Sequence, residues 1–147
     1  MLTEGILKKL NVQINLEHYS SNLYFSMSSW FKTKGLDGVA GFLIAHANEE
    51  LAHMHNLFNY IHEIGGQTIV SSIESSENQF KDLKDIFEQT YKHEEYIATK
   101  INELVELTLH EKDYATFNFL QCYLVHNMKR KDYLKEFLTQ VIIQDCK

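Results

Sequence analysis

Apolar residues recur at alternating steps of three and four along four long stretches of this chain, the spacing of a single buried face on an α-helix. The first stretch covers about residues 3–34, carries the stripe Ile6, Leu10, Glu17, Tyr24, Met27, Phe31, and stops at Gly35. The second covers about residues 38–64, with Val39, Leu43, His46, Glu50, His53, Leu57, Tyr60 and Ile64 on its face. Asp37 is expected as its N-cap, and the Gly65-Gly66 pair ends it. A polar stretch, residues 67–81, follows; Ile69, Val70, Ile73 and Phe80 are its apolar residues, available to pin it down. The third helix is expected over residues 82–110, with the face Leu83, Phe87, Thr90, Glu94, Ile97, Ile101, Leu104, Thr108. After a tight link at Lys112 and Asp113, the fourth runs nearly to the C-terminus through Thr116, Leu120, Tyr123, Asn127, Arg130, Leu134, Phe137 and Val141. Short links make each consecutive pair antiparallel, and a helix of about 27 residues is roughly 40 Å long, so the connection between the pairs must run largely extended. The prediction is an all-α, antiparallel four-helix bundle with one long crossover.

Composition agrees with that pattern. With 147 residues, 44% of them hydrophobic, a single domain over residues 1–147 can bury a sizeable core. No proline and only six glycines disfavour architectures that need many tight turns. The longest apolar run, residues 38–45, is far short of the roughly 20 residues a membrane span requires. An acid and two lysines within the first ten residues do not read as a secretory signal. Two cysteines, Cys122 and Cys146, are too few for a disulfide framework, so a reducing cytoplasm is the expected setting. A net charge of −6 argues against nucleic acid and suits cations.

Each of the four stripes is apolar at its ends and polar in the middle. With antiparallel neighbours, Glu17, Glu50, His53, Glu94, Asn127 and Arg130 are expected at one level of the bundle, converging on one buried site. An unpartnered buried carboxylate costs several kcal/mol, and three at one level call for a cation. Glu50 and His53 stand at i and i+3 on one helical face, and single glutamates from two other helices complete an oxygen-rich shell suited to iron or manganese, though zinc would also bind. One Glu-x-x-His is common by chance; the coincidence of four interrupted stripes is what favours a metal site. His46, a turn before Glu50, is expected in the outer sphere of that site or as a hydrogen-bonded core histidine, and Tyr24 as a packed ring with a polar partner. His55 and His62 fall off the stripe toward the surface, and Met54 and Met128 read as packing residues, not haem ligands. Neither cysteine has neighbours that suggest nucleophilic chemistry.

Four stretches, Asn15-Leu-Glu17-His-Tyr-Ser-Ser21, Ala47-Asn-Glu-Glu-Leu-Ala-His53-Met, Thr90-Tyr-Lys-His-Glu94 and Asp113-Tyr-Ala-Thr-Phe-Asn-Phe-Leu-Gln121, resemble the helix motifs of bacterial non-haem ferritins in order and spacing. The resemblance implies a ferritin-like fold, a hollow homo-oligomeric cage of 24 subunits, and storage of ferric mineral after oxidation of Fe(II) by oxygen or peroxide, without haem. It implies that Glu17, Glu50 and His53 bind the first iron and that Glu94 contributes to the second.

The fourth helix departs from the family, which usually places Gln at position 127 and acids at 126, 129 and 130; here the run is His126-Asn-Met-Lys-Arg-Lys131. Glu17, Glu50 and Glu94 with Arg130 carry a formal −2, matched by one divalent ion. The guanidinium can therefore take the place of a second metal. Fast ferroxidase chemistry needs two irons to deliver two electrons to one dioxygen, so weak or absent pairwise oxidation is expected. A plainer reading has Arg130 snorkelling outward, with Lys129 and Lys131 on a solvated face. The family usually continues into a short fifth helix lining a symmetry channel, whereas this sequence stops about where the fourth helix should. A second function, from another class, is a structural subunit in a cage mixed with an active ferritin.

Overall fold

The computed structural model describes residues 2–145, apart from the side chains of Cys122, His126, Arg130, Ile142 and Asp145. It contains α1 (Glu4–Thr33), α2 (Asp37–Glu63), α3 (Leu83–His110) and α4 (Tyr114–Asp145), with no strand among the described residues. The chain forms two compact units: Leu7–Phe80, and the residues from Lys81 onward together with the first six.

In the Leu7–Phe80 unit both helices end the same way. Gly35 at φ 75° turns the chain at the end of α1, with Leu36 N–H donating to Phe31 O at 3.0 Å and Gly35 N–H to Lys32 O at 3.0 Å. Gly65 at φ 85° does so for α2, with Gly66 N–H donating to Ile61 O at 2.8 Å and Gly65 N–H to His62 O at 3.2 Å. These are Schellman motifs, in which glycine takes the left-handed conformation without a Cβ penalty. At Gly66 a Cβ would lie 2.7 Å from Leu7 Cδ1, a side-chain tip that can shift, and 3.3 Å from the fixed Ile61 O.

The start of α2 differs from expectation. Its N-cap is Leu36, which makes no side-chain cap bond, and Asp37 is the first helical residue. The α1 Schellman motif already draws Leu36 N–H back to Phe31, while Leu36 O accepts from Ala40 N–H at 3.1 Å. Leu36 therefore closes one helix and opens the next, which moves Asp37 into the first turn, where its charge still complements the helix dipole. Across this tight link Ser28 Oγ donates to Ala40 O at 2.7 Å, and Met27, Phe31, Leu43, Leu57 and Ile61 are fully buried.

The crossover is pinned differently from the sequence expectation. Ile69 and Val70 are 59% and 62% exposed, and of the four apolar candidates only Phe80 is buried. Two asparagines on α1 hold the extended segment instead. Asn11 donates to Gln67 O at 3.1 Å and accepts from Ile69 N–H at 2.7 Å, and Asn15 donates to Ile69 O at 3.0 Å and accepts from Ser71 N–H at 3.1 Å. Each carboxamide supplies one donor and one acceptor, as a neighbouring strand would, and so satisfies backbone groups that have no strand to pair with.

In the second unit, Asp82 caps α3 by accepting from Asp85 N–H at 2.8 Å, and Asp85 accepts in return from Lys81 N–H at 2.9 Å. The bond from Lys81 N–H, with one from Gln89, holds the Asp85 carboxyl below its ordinary range. The α3–α4 link repeats the Schellman pattern with a lysine in the left-handed position: Lys112 has φ 59°, and Asp113 N–H donates to Thr108 O at 2.9 Å. Asp113 then caps α4, accepting from Thr116 N–H at 3.1 Å and from its hydroxyl at 2.7 Å. Thr3 hydrogen-bonds Glu111 at the same end. The core of this unit comprises Ile86, Ile97, Ile101, Leu104, Leu120, Leu134 and Leu138. At the start of α3 the fully buried residue is Ile86, while Leu83 and Phe87 are half-buried. A helix advances 3.6 residues per turn, and the alternating three-four stripe drifts from the true face at its end.

Candidate metal centre

Glu17 sits midway along α1, flanked on the same face by Leu10, Ile14, Tyr24 and Met27, all essentially inaccessible to solvent. This apolar face carries the carboxyl into the interior, where Glu17 itself has zero exposure. One of its oxygens, Oε1, accepts from Gln13 Nε2 at 2.9 Å; the other, Oε2, is buried without a hydrogen-bond partner. An unsatisfied carboxyl oxygen in the interior costs about 1–3 kcal/mol or more. A cation bound to that oxygen would offset the cost.

What faces it comes from α2. His53 Nδ1 stands 4.0 Å from Glu17 Oε2 and 3.9 Å from Glu50 Oε2. Glu50 and His53 are 3% and 9% exposed. One ligand atom from each of Glu17, Glu50 and His53 lies within 4.8 Å of the others, a spacing at which a single cation can be shared. Two carboxyls and an imidazole make a hard, mixed oxygen and nitrogen donor set that fits Fe(II), Mn(II) or Zn(II). The buried Gln13 orients Glu17 from one helical turn away, at i−4. Sequence reasoning passed over it because glutamine carries no charge, although its spacing from Glu17 was the available signal.

The remaining predicted residues are placed as follows. Tyr24 is fully buried, its ring edge-on to the His46 imidazole with centroids 4.4 Å apart. His46 is 5% exposed, with Nε2 3.7 Å from Glu50 Oε1. His55 and His62 are exposed. In the other unit, Glu94 is 7% exposed on α3, next to the buried Thr90 and Ile97. Thr90 and Glu94 line a cavity of about 10 Å³, room for one water, whose rim carries Lys131 and Lys135. Asn127 is half-buried on α4, with its Nδ2 shielded from solvent and without a hydrogen-bond partner. The side chains of Arg130, His126 and Cys122, like Cys146, lie outside the described residues. Lys131 does more than decorate a solvated face: it pairs with Glu95 at 3.7 Å, and both it and Lys135 lie over the Tyr91 ring, at 5.2 and 5.1 Å. Glu95 also accepts a hydrogen bond from the Tyr91 phenol, which raises that group above its ordinary range.

Comparison with known proteins places this geometry in context. The ferritin-like domain model matches residues 7–142. A probable bacterial non-heme ferritin-like protein of Haemophilus influenzae is 52% identical over 124 residues, 84% of this chain and 75% of the relative. A bacterial non-heme ferritin of Escherichia coli is 40% identical over 141 residues, 96% of this chain and 86% of the relative. Among solved structures, a Chlorobium tepidum ferritin superposes with a TM-score of 0.93 at 41% identity, covering 99% of this chain and 89% of that one. An open-pore ferritin from Archaeoglobus fulgidus gives 0.92 at 33% identity, covering 97% and 87%. The four helices, the long crossover and the matched span together show that this chain belongs to the ferritin-like family.

Proposed function

We propose that this chain is an iron-storage ferritin subunit that binds Fe(II) at Glu17, Glu50 and His53 and stores ferric iron inside a hollow cage of 24 subunits. The observation that carries this reading is the buried, unpartnered Glu17 Oε2 facing Glu50 and His53. Iron is here the cargo, held first by two carboxyls and an imidazole before it is oxidised and deposited. Glu94, buried at midlength of α3, assists, and no haem takes part. The family membership and the likeness to solved ferritins support storage and assembly with other copies.

Pairwise oxidation is slow in this reading, because α4 offers Asn127 where the family usually has Gln and Arg130 where it usually has an acid, the pair that would help hold a second iron. Stopped-flow oxidation of Fe(II) tests it: the expected trace lacks a fast phase, and a fast phase saturating at a pair of irons per subunit would refute it. Asn127→Gln combined with Arg130→Glu should introduce that phase. The same two residues favour a second reading, a shell subunit that relies on an active ferritin in a mixed cage. Iron content of the purified single-type cage separates the two, since a storage subunit loads by itself and a shell subunit stays empty.

A further inference from the structure

We propose that the extended segment 67–72 is an open strand edge that pairs with the same segment of a second copy of this chain, antiparallel and centred on Val70; the inference deepens the cage reading and rests on it. The asparagine bonds fix which way this backbone faces. Gln67 O, Ile69 N–H and O, and Ser71 N–H all turn toward α1, to Asn11 and Asn15. Alternate residues of an extended chain direct their N–H and C=O groups to opposite sides. Thr68, Val70 and Ser72 therefore present theirs away from α1, where no backbone partner meets them among the described residues. Val70 and Ser72 are exposed.

The composition does nothing to guard this edge. Folded proteins blunt a free edge with lysine, proline, other charges or a bulge. Residues 67–73, Gln-Thr-Ile-Val-Ser-Ser-Ile, contain no charge, proline or glycine, and Thr68, Ile69, Val70 and Ile73 are β-branched. Left bare, such a segment is a template for another strand, so in the working protein it is covered. Charge selects the occupant. Each chain carries −6, and Glu63 and Glu74 bracket the segment, so two copies repel one another except along a neutral stretch such as this one. An antiparallel pair also lets one segment satisfy itself, each copy offering the same donors and acceptors about a two-fold axis. With the axis at Val70, the two Val70 residues exchange N–H···O bonds, and Thr68 of each copy faces Ser72 of the other. The pairing shields Ile69 and Val70, which are 59% and 62% exposed in the single chain.

Amide exchange on the assembled protein, read residue by residue by mass spectrometry, tests the pairing without iron. The Ile69 and Ser71 amides are held within the chain by Asn11 and Asn15, whereas the Val70 amide is held only by a second copy. Exchange at Val70 should therefore be about a hundredfold slower in the assembled protein than in an unstructured peptide of the same sequence. Val70→Pro removes that N–H at a place where an edge tolerates proline and the preceding residue is already extended. It should raise the concentration for half assembly about tenfold, the loss expected for the bonds at the axis, while Val70→Thr, which keeps the N–H, assembles as wild type. Exchange at Val70 as fast as in the peptide, in protein that sediments as an assembly, overturns the proposal, as does Val70→Pro that assembles at wild-type concentrations. Should Val70→Pro fail to fold, the wild-type exchange decides alone. A wild-type chain that sediments as a monomer would overturn the cage reading as well, a distinct result.

Discussion

At the scale of single residues, Glu17 carries a burial cost that, in the proposed function, metal binding offsets. Its Oε1 is satisfied by Gln13, but its Oε2 is buried with nothing to donate to it. Glu17→Gln should keep the Gln13 bond, remove the cost of an uncompensated carboxyl, and stabilise the metal-free protein by about 1–3 kcal/mol while weakening metal binding. Thermal unfolding with and without Zn(II) checks both halves; a metal-free variant no more stable than wild type would remove the strain argument. Lys112 makes a similar point on the backbone, since a non-glycine residue at φ 59° carries a steric penalty. Lys112→Gly should raise stability by about 1 kcal/mol, read as a shift of the denaturant midpoint. Glu17, Glu50 and His53 were legible in the sequence because each interrupts an apolar stripe at midhelix, where burial makes a charge conspicuous. His46 was legible as buried, but which atom of Glu50 it faces depends on side-chain torsions that periodicity does not encode.

At the scale of elements, glycine and aspartate marked most helix ends because the physics there is local: a left-handed residue closes a helix, and a short acceptor side chain opens one. Asp82 and Asp113 cap as such residues should, whereas Asp37 does not, because the preceding Schellman motif occupies the residue before it. The crossover was legible as a long polar connection. Its fastening was not, since Asn11 and Asn15 lie far from it in sequence and two asparagines a turn apart on a helix look like ordinary surface residues. Asn11→Ala should destabilise the protein by about 1–3 kcal/mol by orphaning two backbone groups at once, and should speed amide exchange at Ile69 and Ser71. Exchange at those amides unchanged from wild type would show that the extended segment is held by something else. The α3 start is pH-sensitive in a defined sense: the Asp85 carboxyl is depressed, so its capping contribution is present above the ordinary carboxyl range and fades as pH falls through the lowered value.

At the scale of the molecule, the four-helix fold was legible because both short links and the one long connection are written in composition, and the likeness to solved ferritins extends over nearly the whole chain. Less legible is the chemistry on α4, where positive residues replace the acids that the family resemblance leads one to expect. Beside them, Lys131 is engaged within its own unit, by Glu95 and the Tyr91 ring. The central claim, that Glu17, Glu50 and His53 hold an iron ion, is tested most directly by anomalous scattering at the iron edge from crystals soaked anaerobically in Fe(II). The account predicts a strong peak within bonding distance of Glu17 Oε2, Glu50 Oε2 and His53 Nδ1. Density in which those three side chains keep their present spacing with no iron among them, while iron peaks stand elsewhere, would contradict it.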